Sequence, residues 1–284
     1  MTIVLALSCA IPTTAMPVAS GAPVIVAGGD IACPDSPCDS HRETGALIRR
    51  INPRAVLTLG DNQYNEGALS DFQSSYDPTW GRRKGRTYPA PGNHEYQTPD
   101  ADGYYDYFGR RAHRSSEGFY GFNIGRWHLV SINTGNGAPS DAELRWVRRN
   151  LSRDRHRCEL AYWHHPRWSS GNTHGSDTRM NGLWQVLFRQ GVDVVLNGHE
   201  HNYERFALLR PSGERSRNGI RQFVVGTGGR GHYSLGSPIQ GSQARIDDEF
   251  GVLKMVLRRS SYEWSFIATN PRETLDRGRQ RCHR

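Results

Sequence analysis

The sequence predicts an α/β fold, and three observations predict it. Short apolar runs of strand length alternate with stretches of helical period. That alternation fills the first two thirds of the chain and then gives way to strands alone. Most side chains able to hold a metal fall just past the end of an apolar run, the edge of an α/β sheet where loops converge.

Taken in order, Val24–Ala27 reads as a buried strand running into Gly28-Gly29-Asp30, followed by a helix from about Arg42 to Arg50. Ala55–Leu59 is a second strand, ending at Gly60-Asp61. Arg126–Asn133 and Glu159–Trp163 are further strands. The helix expected between them, Asp141–Leu151, carries Leu144, Val147 and Leu151 on one face. Another helix spans Met180–Arg189, and the strand Val192–Leu196 empties into Asn197-Gly198-His199. Gln222–Val225, Val252–Leu257 and Tyr262–Ala268 then read as strands, the last with one buried face. Arg210–Asn218 is a polar turn and Gly226–Gln243 a Gly-rich loop. With no repeat, low-complexity tract or long linker, residues 23–284 read as a single domain.

The 284 residues suffice for a sizeable core, and 36% hydrophobic with 23% charged residues is an ordinary soluble balance. The net charge of +8 favours encounter with anionic substrates. It does not by itself specify nucleic acid, and no specific nucleic-acid partner is expected; the sequence sets no oligomeric state. Residues 1–22 read as a secretory signal segment without a basic start. Pro12, Pro17 and the shortness of the run argue against a membrane span. Removal of that segment takes Cys9 and leaves Cys33, Cys38, Cys158 and Cys282, an even count that suits disulfides in an exported protein. Cys33 and Cys38 enclose a turn and can bridge locally; Cys158 with Cys282 would then tie the tail to the body.

Five segments carry the chemistry: Gly29-Asp30, Gly60-Asp61-Asn62-Gln63-Tyr64, Gly92-Asn93-His94-Glu95, His164-His165-Pro166 and Gly198-His199-Glu200-His201. Each alone is ordinary; a Gly-Gly-Asp is a common turn, and an Asn-His pair is a common loop feature. Together they supply oxygen and imidazole ligands for two adjacent metal ions, an arrangement suited to cleaving phosphate esters.

On these motifs the chain resembles the calcineurin-like metallophosphoesterases and, within them, the purple acid phosphatases, from about Val24 to Arg205 with an echo in Gly226-Thr227-Gly228-Gly229. The superfamily usually opens with Asp-x-His; here Ala32 stands two after Asp30. Purple acid phosphatases also lack that histidine and use the tyrosine of Gly-Asp-x-x-Tyr, which Gly60 to Tyr64 matches. The resemblance implies a four-layer αββα sandwich of two mixed sheets flanked by helices. It puts Asp30, Tyr64 and His201 on a first metal, makes Asp61 the bridge, and gives the second metal Asn93, His164 and His199. His164 is preferred to His165 on the His-x-Pro pattern. Asn93, His94 and His174 would bind the substrate, with His94 and His174 catalytic. The implied cofactors are two metal ions, Fe(III) with Zn, Mn or Fe(II), because a phenolate suits a hard trivalent ion.

The expected activity is hydrolysis of a small phosphate ester, foremost a monoester. A phosphodiesterase or nucleotide pyrophosphatase with the same site, or a non-catalytic anion- or nucleic-acid-binding module, remain open. Tyr96, Tyr104, Tyr105, Tyr107, Trp163, Trp168 and Tyr203 read as packing rather than as a stacking wall, and the run Trp80 to Arg86 as a solvated basic turn.

Overall fold

Alternation within the strands decides which way each sheet faces. In β1 (Val24–Gly28), Ile25 and Ala27 enter one apolar cluster and Val26 another. In β6 (Cys158–Tyr162), Leu160 and Tyr162 turn to the first of these, Ala161 to a third. Strands that are apolar on both faces must be covered on both faces. The computed structural model describes residues 21–34, 40–269 and 274–283, and within them two sheets stack face to face.

The first sheet contains β1, β2 (Ala55–Leu59), β3 (Thr87–Ala90), β11 (Gly251–Leu257), β12 (Ser261–Ala268) and β13 (Thr274–Arg281), in the order β13-β12-β11-β1-β2-β3. β1, β2 and β3 are parallel, and the other three antiparallel. The second sheet runs β10-β8-β9-β7-β6-β5-β4, using β4 (Tyr120–Ile124), β5 (Trp127–Ser131), β7 (Val194–Asn197), β8 (Tyr203–Leu209), β9 (Ile220–Val225) and β10 (Ser242–Ile246) besides β6. There β5, β6, β7 and β9 are parallel.

Ile25, Ala27, Leu57 and Leu59 of the first sheet meet Leu129, Leu160, Leu196 and Phe223 of the second in the central core. Outside the first sheet, Val26 and Val56 pack on Leu47 and Ile48 of α1 (Ser40–Ile51). Outside the second, Val130, Ala161 and Val195 pack on Val147 and Leu151 of α4 (Asp141–Arg153) and on Leu183 and Leu187 of α5 (Asn181–Gln190). The result is the four-layer αββα sandwich. Between β2 and β4 lie two short helices, α2 (Leu69–Asp71) and α3 (Asp102–Phe108).

Local signals fix the helix ends. Ser140 accepts a 3.2 Å hydrogen bond from the Glu143 N–H, capping α4. Gly191, with φ +81°, takes the left-handed conformation that terminates α5. Cys158, at the start of β6, and Cys282, after β13, form a disulfide with Cα atoms 5.5 Å apart, so one covalent bond joins the two sheets. Cys33 is also disulfide-bonded; its expected partner Cys38, like residues 1–20 of the signal segment, lies outside the described residues. Among the described residues no helix is long and apolar enough to cross a membrane.

Expected and observed elements differ at edges. Arg126–Asn133 shortens to Trp127–Ser131, and Val192–Leu196 shifts to Val194–Asn197. β3, β4, β8, β10 and β13 were not expected. β13 reads Thr-Leu-Asp-Arg-Gly-Arg-Gln-Arg, a charged edge strand held by pairing to β12 rather than by its own burial. Tyr104, Tyr105 and Tyr107 on α3 are core residues, Tyr107 stacking on Phe72 at 4.8 Å. Trp163 and Tyr203 are likewise buried. Trp80 is buried, its indole N–H donating to Thr44 at 2.9 Å, while Arg82 and Arg86 of the same run face outward.

Candidate metal centre

Parallel strands deliver their C-terminal ends to one edge of the sandwich, and the loops there are latched to each other by backbone. Asp30, Ile31 and Ala32 donate N–H groups to the carbonyls of Gly60, Asp61 and Asn62 at 2.9–3.1 Å, so the loops after β1 and β2 run side by side. Gly29 N–H donates to Val225 O at 2.9 Å, joining the first sheet to the second. Three non-glycine residues in these loops have positive φ: Asp30 (59°), Asp61 (46°) and His199 (73°). Such backbone is held only where surroundings over-determine it, and it clusters at functional sites. Close approach also explains two glycines. A Cβ on Gly60 would lie 2.5 Å from His164 Nδ1, and one on Gly198 2.6 Å from Asp30 Oδ2.

The loops bring all the expected donors together. Tyr64 Oη lies 2.9 Å from Asp30 Oδ1, 3.0 Å from Asp61 Oδ2 and 3.1 Å from His201 Nε2. On the other side of Asp61, His164 Nε2 is 3.2 Å from Asp61 Oδ2, 3.1 Å from Asn93 Oδ1 and 3.1 Å from His199 Nδ1. Asp61 Oδ2 therefore stands between a Tyr64–Asp30–His201 group and a His164–Asn93–His199 group. Asp30, Asp61, Tyr64, His164 and His201 are buried.

The donor set fits cations. His201 Nδ1 lies 2.7 Å from Gly231 O, and His164 Nδ1 2.9 Å from Leu59 O, so each ring can spend its N–H on a carbonyl and turn the other nitrogen to the cluster. What converges is acceptors: two carboxylates, an amide oxygen and imidazole nitrogens. Burial lowers the His164 pKa, yet Asp61 and then Asp30 outweigh it and carry it up to about 9. Burial, with His164, His165 and His174, holds His199 well below the ordinary histidine value, leaving it neutral and able to ligate. Burial and the Asp30 and Asp61 carboxylates push the Tyr64 phenol well above its usual range. Only a strongly charged neighbour would make it a phenolate.

His94 and His174 sit at the rim. The His94 backbone N–H donates to Asp61 Oδ1 at 2.9 Å, its ring packs on Tyr64 with centroids 4.3 Å apart, and its Nε2 is 3.9 Å from Asp61 Oδ2. His174 stacks on His199 at 4.1 Å. His165, set aside from sequence, lies close by: its ring is 4.4 Å from that of His199, and its Nδ1 is 3.1 Å from Thr134 Oγ1. A separate grouping, His128, Asp154 and His156, is satisfied by its own partners, with Asn123 and Asn150 at 2.7 and 2.6 Å from the His128 ring nitrogens and Asp154 at 2.7 Å from His156 Nδ1.

Sequence reasoning missed the supports. Glu95 is buried and accepts the N–H groups of Asn62, Gln63 and Gly92 at 2.7, 3.1 and 2.6 Å, tying the Asp61 loop to the Asn93 loop. Glu200 accepts the His174 N–H at 2.7 Å and so places that loop. Tyr233 stacks on His201 at 3.8 Å. The two glutamates stood inside quoted motifs; their type and position were the available signal.

Residues 24–203 match the family model of the calcineurin-like phosphoesterases, and the chain belongs to that family. Purple acid phosphatase 15 of Arabidopsis thaliana is 28% identical over 191 residues, covering 54% of this chain and 36% of the plant protein. Tartrate-resistant acid phosphatase type 5 of Oryctolagus cuniculus is 25% identical over 233 residues, 69% of each chain. The solved structure of purple acid phosphatase PPD1 from yellow lupin (Lupinus luteus) seeds shares the fold with TM-score 0.77 at 15% identity, over 92% of this chain and 54% of that one. The chain thus spans about a third of Purple acid phosphatase 15 and about half of the lupin chain.

Proposed function

We propose that this chain hydrolyses phosphate monoesters with two metal ions, held as one domain from 23 to 284. The observation that carries the reading is the position of Asp61 Oδ2 between the two donor groups, 3.0 Å from Tyr64 Oη and 3.2 Å from His164 Nε2. Asp30, Tyr64 and His201 would hold the first ion, Asn93, His164 and His199 the second, with Asp61 shared. Two such ions would supply Lewis-acid clamping of the phosphate and acidify a water.

The chain does the rest. His94, with Nε2 turned to the cluster, hydrogen-bonds a phosphate oxygen; His174 donates a proton to the leaving oxygen. Burial, and then His201, draws the His174 pKa below the ordinary value, so its protonated form belongs to acidic solution. Turnover should therefore decline on the alkaline side, and His174→Gln should remove that limb. His94→Ala and His174→Gln are each expected to keep both metals by elemental analysis and to lose roughly 10²-fold in turnover. Metal loss in His94→Ala would mean that it ligates.

A phenolate at Tyr64 would suit a hard trivalent first ion, so Fe(III) paired with Zn, Mn or Fe(II) is the proposed cofactor set. Tyr64→Phe removes one oxygen at nearly constant volume. It should abolish a visible tyrosinate-to-iron band and weaken iron retention while the second metal stays. A colourless wild-type protein with Zn or Mn in both positions would remove iron from the proposal. The disulfide between Cys158 and Cys282 supports export to an oxidising compartment.

A further inference from the structure

We infer that Arg230 is the residue that selects a doubly charged phosphate, and hence monoesters over diesters. The inference rests on the phosphoester reading of the site. Arg230 lies in the Gly-rich loop after β9, and its backbone is pinned on both sides. Its own N–H donates to Asp30 O at 2.9 Å, and the carbonyl of the next residue, Gly231, accepts from His201 Nδ1 at 2.7 Å. The loop that presents Arg230 is therefore the one that orients two of the proposed ligands. The guanidinium carbon stands 4.9 Å from the centre of the Tyr64 ring, whose hydroxyl enters the donor cluster. His94 packs on the same ring.

Arg230 is half-buried, and among the described residues its guanidinium has neither a carboxylate nor a hydrogen-bond acceptor. Contact with an aromatic face is only a weak attraction at a partly exposed site. A cation at the rim of a site built to hold further cations is repelled by them, unless an anion lies between. A phosphate meets that condition, and a planar guanidinium matches two phosphate oxygens at once. A monoester dianion offers three unesterified oxygens and a second charge. A diester replaces one of those oxygens with an ester link and loses that charge, so Arg230 gains less from it.

The experiment uses the metal-loaded full chain as wild type, Arg230→Ala and Arg230→Lys, with an aryl phosphate monoester, the bis-aryl diester, and inorganic phosphate binding by calorimetry. Arg230→Ala should raise KM for the monoester and the phosphate dissociation constant by roughly tenfold or more, and leave kcat and metal content nearly unchanged. The diester kcat/KM should change less than threefold, and Arg230→Lys should recover part of the loss. Equal losses on both esters, or no change in phosphate binding, would overturn the inference and leave Arg230 a packing residue over Tyr64. If wild type cleaves neither ester yet binds phosphate, the phosphoesterase reading fails while the phosphate comparison still decides Arg230.

Discussion

Replacing Asp61 by alanine is expected to abolish phosphoester hydrolysis, a loss of roughly 10³-fold or more, equivalent to about 4 kcal/mol of transition-state stabilisation, and to empty at least one metal position. Asp61 Oδ2 reaches a side chain of each donor group, 3.0 Å from Tyr64 Oη and 3.2 Å from His164 Nε2. Its other oxygen accepts the His94 N–H at 2.9 Å, so the side chain also positions the rim. Burial pushes its pKa up, but His164 and then His94 overcome that and hold it far below the usual carboxylate range. It is thus a carboxylate across the working pH range, as a bridge must be. Asp61→Asn separates charge from shape: it keeps one acceptor oxygen and nearly the same volume, so the fold should survive while metal content drops. Elemental analysis beside circular dichroism reads both. Full metal content with native turnover in Asp61→Asn would remove Asp61 from the bridging position.

The second large effect concerns stability. Breaking the Cys158–Cys282 bridge opens a loop of 124 residues, and the chain-entropy model assigns such a loop about 5 kcal/mol. Most domains have only about 5–15 kcal/mol in total. The location reinforces the estimate. Cys158 begins β6 of the second sheet and Cys282 follows β13, the outermost strand of the first, so the bond fastens a charged edge strand across the central core. Cys282→Ser should lower the denaturant midpoint markedly and expose the C-terminal strand to protease first. The donor cluster lies at the opposite, C-terminal ends of the parallel strands, so specific activity of the folded fraction should hold. An unchanged midpoint would show that β13 is secured by pairing to β12 alone.

The layered fold was legible because its inner strands are apolar on both faces. Val24–Ala27, Ala55–Leu59 and Glu159–Trp163 announce themselves with no help from context, and their order with the intervening helices implies a parallel sheet. β13 and β10 are edge strands of mixed polarity, whose place is decided by long-range pairing that no local pattern encodes. The same division runs through the site. Asp30, Asp61, His164 and His199 each stand at the end of a visible strand, so type and position coincide. Glu95 and Glu200 stand inside the donor motifs, but nothing local shows their supporting role: each is buried because it receives backbone N–H groups from loops distant in the chain. Arg230 follows two glycines in a loop whose path is set by bonds to Asp30 and His201. Spacing shows what a loop carries, not what it will lean against.

The most direct measurement strips the protein with a chelator and follows aryl phosphate hydrolysis as metal is added back in known equivalents. Two ions shared through Asp61 predict that the stripped protein is inactive and that the rate climbs to a plateau at two equivalents per chain. Activity that survives complete metal removal, or a plateau reached at one equivalent, would contradict the two-metal account.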